Sequence, residues 1–188
     1  RRQRQMCIRD RSFTLSIDML GSETKVNDVL KGINQSLLRN INYKFQLYGS
    51  GNLIKKKIEK YKRLIKVSEI IDCDSFISMD DKPSDIIRSK ENSSMYRAIK
   101  SVKDNHSDAL LSFGNTGALM SLSTLQIRTL ENIRRPAIAS ILPNMKGESI
   151  VLDLGANIKS NSQYLIDNAI LGTRLATSLL KIKNDLDL

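Results

Sequence analysis

The 188-residue chain has no tryptophan, one histidine and two cysteines, and aromatic residues make up 5% of it. Two cysteines cannot build a disulfide framework or a four-cysteine zinc site. The lone histidine, His106, stands in a polar stretch, which disfavours a Ser-His-Asp triad or a histidine-based metal centre. No apolar run approaches the roughly 18 residues of a membrane span, and the sequence does not open with the charged-then-apolar pattern of a secretory signal. We therefore expect a cytoplasmic protein with reduced thiols.

The net positive charge comes from two segments of the sequence. Lys and Arg number 30 against 20 Asp and Glu, a net charge of +10. Residues 1–11 carry +4 and residues 53–66 carry +6, so the rest of the chain is neutral. The first segment has no apolar periodicity, and we interpret it as a non-native or disordered basic leader outside the fold.

The second basic segment, LIKKKIEKYKRLIK (53–66), has the pattern of an amphipathic helix. Its apolar residues share one arc of the helical wheel and its lysines the other. The lysines are either a solvated exterior or a docking surface for an acidic partner or anionic lipid, with Lys55, Lys56 and Lys60 as candidates. A nucleic-acid-binding module is a weaker alternative, because aromatic residues do not interleave with the lysines as a base-stacking surface requires.

Strand-like and helix-like segments alternate along the chain. The sequence predicts strands at 13–18, 43–48, 64–71, 109–112, 137–142 and 148–153, and helices at 26–38, 53–66, 94–102, 118–130 and 162–180. This alternation is typical of βαβ crossovers. We predict a three-layer α/β/α sandwich with a largely parallel sheet, formed as one domain by residues 12–188.

Two glycine turns each run from a strand-like segment towards a helix, LLSFGNTG (110–117) and VLDLGAN (151–157). Ligands of open α/β sheets bind at such turns, and the backbone N–H groups that open a helix attract anions. Gly-Asn-Thr-Gly equally fits a tight turn that caps a helix. Neither turn has the G-x-G-x-x-G or P-loop pattern. The adjacent acids of Asp80-Asp81-Lys82-Pro83 indicate either a divalent cation or a turn that opens a short helix.

Four segments in this order closely resemble the PlsX-type phosphate acyltransferases of bacterial phospholipid synthesis. They are MDDKPSDIIRSKENSSMYRAIK (79–100), SFGNTGALM (112–120), RRPAIASILP (134–143) and SIVLDLGAN (149–157). Where the family has D-A-M-G-G-D, this chain has Asp-Met-Leu-Gly-Ser-Glu at 18–23, which keeps the first acid and one glycine. Family members continue beyond the length of this chain, so the resemblance implies that a C-terminal part is missing.

The resemblance implies a fold similar to the phosphotransacetylase and isocitrate dehydrogenase-like proteins, and a homodimer that works without a cofactor or metal. It implies transfer of a fatty acyl group from acyl-acyl carrier protein to inorganic phosphate, giving an acyl phosphate for phospholipid synthesis. The acidic carrier would be a partner for the basic segment, with peripheral membrane contact as the other possibility. A phosphotransacetylase-like or dehydrogenase-like enzyme on the same fold is the alternative.

Phosphate is already largely dianionic at neutral pH, so this reaction requires positioning and hydrogen-bond donors rather than a histidine base. On the matching turns, we expect Asn115, Thr116 and Asn157 to contact phosphate or the oxyanion. The residues expected to bind phosphate are Gly114, Gly117, Gly155, Ala156 and Lys82, and those expected to orient neighbouring donors are Asp153 and Asp81.

Overall fold

The computed structural model describes residues 12–39, 42–82, 86, 91–145, 147–155 and 161–180. These residues fall into two compact units, Arg1–Ile127 and Arg128–Leu188. The predicted basic leader, 1–11, lies outside the described residues. The expectation of a single domain over residues 12–188 stays a prediction.

The first unit contains a four-stranded parallel sheet. Its strands are β1 (Phe13–Asp18), β2 (Tyr43–Gly49), β3 (Ser68–Asp72) and β4 (Ala109–Ser112), in the order β3-β2-β1-β4. The chain adds β2 and β3 on one side of β1 and then crosses to add β4 on the other. The carboxyl ends of β1 and β4 therefore flank the point where the strand order reverses, which is where open α/β sheets bind ligands.

Helices cover both faces of this sheet. The helices are α1 (Val26–Ser36), α2 (Gly51–Ile58), α3 (Lys62–Ile65), α4 (Ser94–Lys103) and α5 (Thr116–Ile127), with a 3-10 turn at Leu37–Arg39. Buried residues of α1, α2 and α3 pack with the side chains of Ile17 and Leu47 on one face. On the other face, Ala98 of α4 packs against Tyr48, and α5 packs on α4. The expected three-layer α/β/α arrangement is thereby confirmed.

The basic segment forms two helices rather than the one that we predicted. α2 ends at Ile58 and α3 begins at Lys62, so strand β3 starts at Ser68 instead of residue 64. In one uninterrupted helix, Leu64 would lie about 120° around the axis from Ile58. The break at Tyr61 lets both side chains enter the same core, where Leu64 is 0% exposed and Ile58 is 4% exposed.

The second unit contains an antiparallel hairpin and a long helix. Strands β5 (Ala139–Asn144) and β6 (Gly147–Leu152) pair along their whole length, and α6 (Ser162–Leu179) follows. Two residues connect the strands, whereas a parallel crossover requires a dozen or more. Among the strands of the described residues, this pair is thus the exception to the parallel arrangement. No helix within the described ranges has the length and apolar character that would let it cross a membrane.

Candidate active site

A buried carboxylate lies at the end of the central strand of the sheet. Asp18 is the last residue of β1 and is 3% exposed. Its Oδ1 accepts a hydrogen bond of 2.6 Å from Ser94 Oγ, and its Oδ2 accepts one of 2.8 Å from Ser112 Oγ. Burial raises the pKa of the Asp18 carboxyl, and the hydrogen bonds from the two serines oppose that rise.

The register of the sheet and the start of a helix bring these three residues together. Asp18 and Ser112 are paired in β1 and β4, and alternation along the strands directs their side chains to the face covered by α4. Ser94 is the first residue of α4, whose N-cap Ser93 accepts a hydrogen bond from the backbone N–H of Tyr96. Two strand ends and one helix start thus form the cluster.

Ser112 links this cluster to the glycine turn before α5. Its hydroxyl oxygen accepts a 3.1 Å hydrogen bond from the backbone N–H of Gly114 while it donates to Asp18. A Cβ added at Gly114 would lie 3.1 Å from Met95 Cε and 3.6 Å from Asp18 Oδ2. The turn therefore packs directly over the carboxylate, and glycine lets it come this close.

Asn115 joins the same turn to the loop that contains Asp81 and Lys82. Its Nδ2 atom donates to the carbonyl oxygens of Ser78, Met79 and Asp81 at 3.0–3.3 Å. Its Oδ1 accepts a 3.0 Å hydrogen bond from the backbone N–H of Ala118, which caps α5. The side chain thus holds two loops together and satisfies one of the free N–H groups of the helix.

The first residue of α5 faces solvent beside this cap. Thr116 is exposed, and the N–H groups of Thr116 and Gly117 have no carbonyl partner within the helix because they precede its first i−4 bond. Lys82 is also exposed, one residue beyond the loop that Asn115 holds. Backbone donors and one hydroxyl therefore lie at the start of α5, and Lys82 follows in the loop that Asn115 joins to it, a set of residue types suited to an anion.

The loop after β1 closes the site from the side of Asp18. Gly21 has φ +77°, and a Cβ there would lie 2.0 Å from the carbonyl oxygen of Ile77. No residue with a side chain fits at this position without moving the backbone. The acid and the glycine that this chain retains in its divergent 18–23 segment thus both have clear structural tasks.

Comparison with known proteins indicates the family to which this chain belongs. The family described as fatty acid synthesis protein matches residues 13–185. The chain belongs to this family. It is 40% identical over 169 residues to a phosphate acyltransferase of Mesorhizobium japonicum, and 41% identical over 170 residues to those of Rhizobium rhizogenes and Azorhizobium caulinodans. These matches cover 89–90% of this chain but only 48–49% of each relative, so the chain spans about half the length of these curated proteins.

The structure brings part of the predicted site together. Asn115 brings the turn at Gly114 and the first residues of α5, Thr116 and Gly117, next to the loop of Asp81, where Lys82 follows in sequence. Asp81 uses its Oδ2 atom to accept a hydrogen bond from the backbone N–H of Ser78, which shapes the loop. The lysines Lys55, Lys56 and Lys60 lie on and just after α2.

The second glycine turn belongs to the second unit. Asp153 has φ +58° and Gly155 has φ +80°, and the N–H of Gly155 donates to the carbonyl oxygen of Asp153 at 2.7 Å. This three-residue turn ends the hairpin. Ala156 and Asn157 lie outside the described residues, so their predicted contacts with phosphate stay predictions.

Asp18, Ser94 and Ser112 are not among the site residues that the sequence predicts. An acid at the end of a strand, a serine before a glycine turn and a serine at a helix start are each common. The parallel pairing of β1 with β4, two strands separated by 90 residues of chain, places Asp18 within hydrogen-bond distance of Ser112, and the packing of α4 on the sheet adds Ser94. The retained aspartate of the 18–23 segment was the one signal that pointed to this cluster.

Proposed function

We propose that the chain carries the phosphate side of an acyltransferase site, which moves a fatty acyl group from acyl-acyl carrier protein to inorganic phosphate. The observation that supports this most directly is the start of α5, where Thr116 is exposed, at the reversal point of the sheet and anchored on a buried carboxylate. Membership of a family whose relatives are named phosphate acyltransferase supports the same reaction.

Phosphate binds at the N–H groups of Thr116 and Gly117, with the Thr116 hydroxyl and the Lys82 ammonium as further donors. One phosphate oxygen attacks the thioester carbonyl, and the resulting tetrahedral oxyanion takes hydrogen bonds from the same backbone. The C–S bond then breaks, the acyl phosphate forms, and the proton of hydrogen phosphate passes to the departing thiolate. The reaction uses no general base, because hydrogen phosphate is itself the nucleophile.

Asp18 acts as a positioning residue in this scheme rather than as a catalytic one. It is buried beneath the turn, and its negative charge would repel phosphate. Through Ser112 it fixes the N–H of Gly114, and so fixes the turn that leads into α5. Asn115 has a similar role, because both ends of its side-chain amide are occupied by the loop and the helix cap.

The test is phosphate-dependent release of thiol from a long-chain acyl-acyl carrier protein by the chain as given. Thr116→Val keeps the shape of the side chain and removes its hydroxyl, so we expect the KM for phosphate to rise about tenfold, as for a lost hydrogen bond to a charged group. Thr124→Val is the matched control on the same helix, because the Thr124 hydroxyl bonds only to the carbonyl of Met120 within the described contacts. Equal phosphate KM values in the two variants would contradict the proposed cradle.

The basic surface of α2 is our proposed docking site for the acidic carrier protein. Ile54 and Ile58 anchor the helix in the core, whereas Lys55 and Lys56 are exposed. Lys60 is more constrained, because its Nζ atom donates to Asn27 Oδ1 and lies 5.1 Å from the centre of the Tyr61 ring. Lys55 and Lys56 therefore carry most of the proposed attraction. The homodimer implied by the resemblance stays a prediction.

Lys55→Glu with Lys56→Glu should raise the KM for acyl-carrier substrate several-fold and leave the KM for phosphate unchanged, and the difference should shrink in high salt. Lys100→Glu with Lys103→Glu makes the same change of charge in the last turn of α4 and serves as the control. Unchanged carrier kinetics together with lost binding to anionic vesicles would instead favour contact of α2 with a membrane.

A further inference from the structure

An apolar groove lies between α1 and the sheet, on the face opposite the Asp18 cluster. Its volume is about 340 Å³, within the range of small-molecule sites. Side chains of three strands form its floor, chiefly Leu15, Ile17, Phe45 and Leu111. Leu111 and Phe113 are 40% and 45% exposed, so large apolar surface faces the groove and solvent together.

The groove begins next to the candidate active site. Phe113 lines it and stands between Ser112, whose hydroxyl binds Asp18, and Gly114, whose N–H binds Ser112. From there the groove extends to Tyr43, which pairs with Phe13 at the opposite end of β1. At about 3.3 Å per residue, the groove between these two ends is roughly 20 Å long. One end of a long apolar slot therefore adjoins the proposed phosphate-binding turn.

Gly32 keeps this space open from the side of α1. It lies in the middle of the helix, where glycine is less favourable than alanine, yet a Cβ added there would meet no atom within 4 Å. The glycine therefore does not serve close packing within the described residues. Its effect is to leave the groove unobstructed along the helix.

We propose that this groove holds the hydrocarbon chain of the acyl group that is transferred. The inference rests on the proposed function and adds where the chain of the substrate lies. An apolar slot of this length binds a fatty chain without directional contacts, and it leaves the acyl carbonyl at the Gly114 turn. Each methylene group that enters the groove should tighten binding about fourfold, until the groove is full.

The test uses a fluorescent long-chain fatty acid, cis-parinaric acid, with the full chain. Gly32→Phe places a ring in the groove, and Gly32→Leu is a smaller obstruction if the first variant folds poorly. Lys31→Phe adds the same ring one residue earlier, at another exposed position of α1. We expect Gly32→Phe to weaken binding of the probe at least tenfold, with Lys31→Phe within about twofold of the unchanged chain.

Equal binding of cis-parinaric acid by Gly32→Phe and the unchanged chain would overturn the inference, as would an equal loss in Lys31→Phe. Sedimentation of the same variants tests whether a second copy of the chain occupies the groove instead. If Gly32→Phe alters self-association and not probe binding, a second copy of the chain covers the groove and the inference is wrong.

Thiol release separates this inference from the proposed function. If probe binding falls in Gly32→Phe while neither the unchanged chain nor any variant releases thiol, the groove binds fatty chains but the proposed reaction fails. If the unchanged chain and Gly32→Phe release thiol equally well from long-chain substrate, the reaction stands and the groove inference fails.

Discussion

Two buried aspartates, one in each unit of the chain, have pKa values shifted in opposite directions. Asp18 and Asp167 are each 3% exposed. Burial raises the pKa of Asp18, whose donors are the hydroxyls of Ser94 and Ser112. The pKa of Asp167 is lowered, first by the side-chain amide of Gln163 and then by the backbone N–H of Arg134.

The donors of the two carboxylates also differ in whether they can extend the hydrogen-bond chain. Nitrogen donors can only donate, so Gln163 and the Arg134 backbone fix Asp167 as an ionised group that joins α6 to the segment before the hairpin. A hydroxyl donates and accepts, and Ser112 passes the hydrogen-bond chain from Asp18 to Gly114. We infer that Asp167 serves the fold of its unit and that Asp18 serves the geometry of the site.

The largest expected effect is on turnover. Asp18→Asn should lower the kcat for phosphate-dependent thiol release about 100-fold, as a small displacement of the Gly114 turn can, while the KM for the carrier substrate stays unchanged. Asp167→Asn should leave the kcat per folded molecule unchanged and lower the urea midpoint. Steady-state kinetics and urea unfolding of both variants check this, and equal loss of kcat in the two would remove the distinction.

The next largest effect is on stability, through the Ser112 hydroxyl that links Asp18 to Gly114. Ser112→Ala leaves the Gly114 N–H and Asp18 Oδ2 each short of a partner, which should cost about 1–3 kcal/mol of unfolding free energy. Ser36→Ala is the control, because the Ser36 hydroxyl bonds to the carbonyl of Ile33 in its own helix, and it should cost under about 0.5 kcal/mol. Urea unfolding measures both, and matching costs would contradict the link.

The pH dependence of stability should have opposite signs at the two aspartates. The ordinary pKa is 3.8 in both cases. Because the folded-state pKa of Asp18 lies above this value, its ionisation destabilises the fold progressively as pH rises from 3.8 through that raised pKa. Because the pKa of Asp167 lies below it, the stability that Asp167 contributes is lost as pH falls through that lowered pKa.

Urea midpoints of the unchanged chain, Asp18→Asn and Asp167→Asn between about pH 3 and pH 7 test these signs. The urea midpoint of Asp18→Asn should rise relative to that of the unchanged chain as pH rises. The urea midpoint of Asp167→Asn should lie below that of the unchanged chain, and the gap should be smallest at the acid end. Parallel curves for the three proteins would refute the assigned shifts.

The smallest expected effect is on the unfolding free energy, when a glycine in the middle of a helix is replaced in each unit. Gly32→Ala meets open space and should raise the unfolding free energy by up to about 1 kcal/mol, the ordinary gain in helix propensity. At Gly172 of α6, an added Cβ would lie 2.7 Å from Leu152 Cδ1 on β6, so Gly172→Ala should gain less or nothing. Thermal or urea unfolding of both variants would show equal gains if the close packing of α6 on β6 did not matter.

Much of the fold could be predicted from local pattern. The alternation of Phe13, Leu15 and Ile17 predicts β1 with its observed bounds, and the strand 109–112 is likewise as predicted. The break after α2 could not be predicted, because it depends on where Leu64 must enter a core built by other elements. The hairpin of β5 and β6 depends on a two-residue connection, and its antiparallel pairing became clear only from the register.

By itself, the sequence determined the family, the alternation of strands and helices and the glycine turns, because these depend on residues close together in the chain. Tertiary structure decided that Asp18, Ser94 and Ser112 form one cluster and that Asn115 holds the loop of Asp81. Those contacts join residues 34–94 positions apart, which no local periodicity encodes. They exist because parallel pairing aligns the carboxyl ends of β1 and β4, and because burial makes each polar group there find a partner.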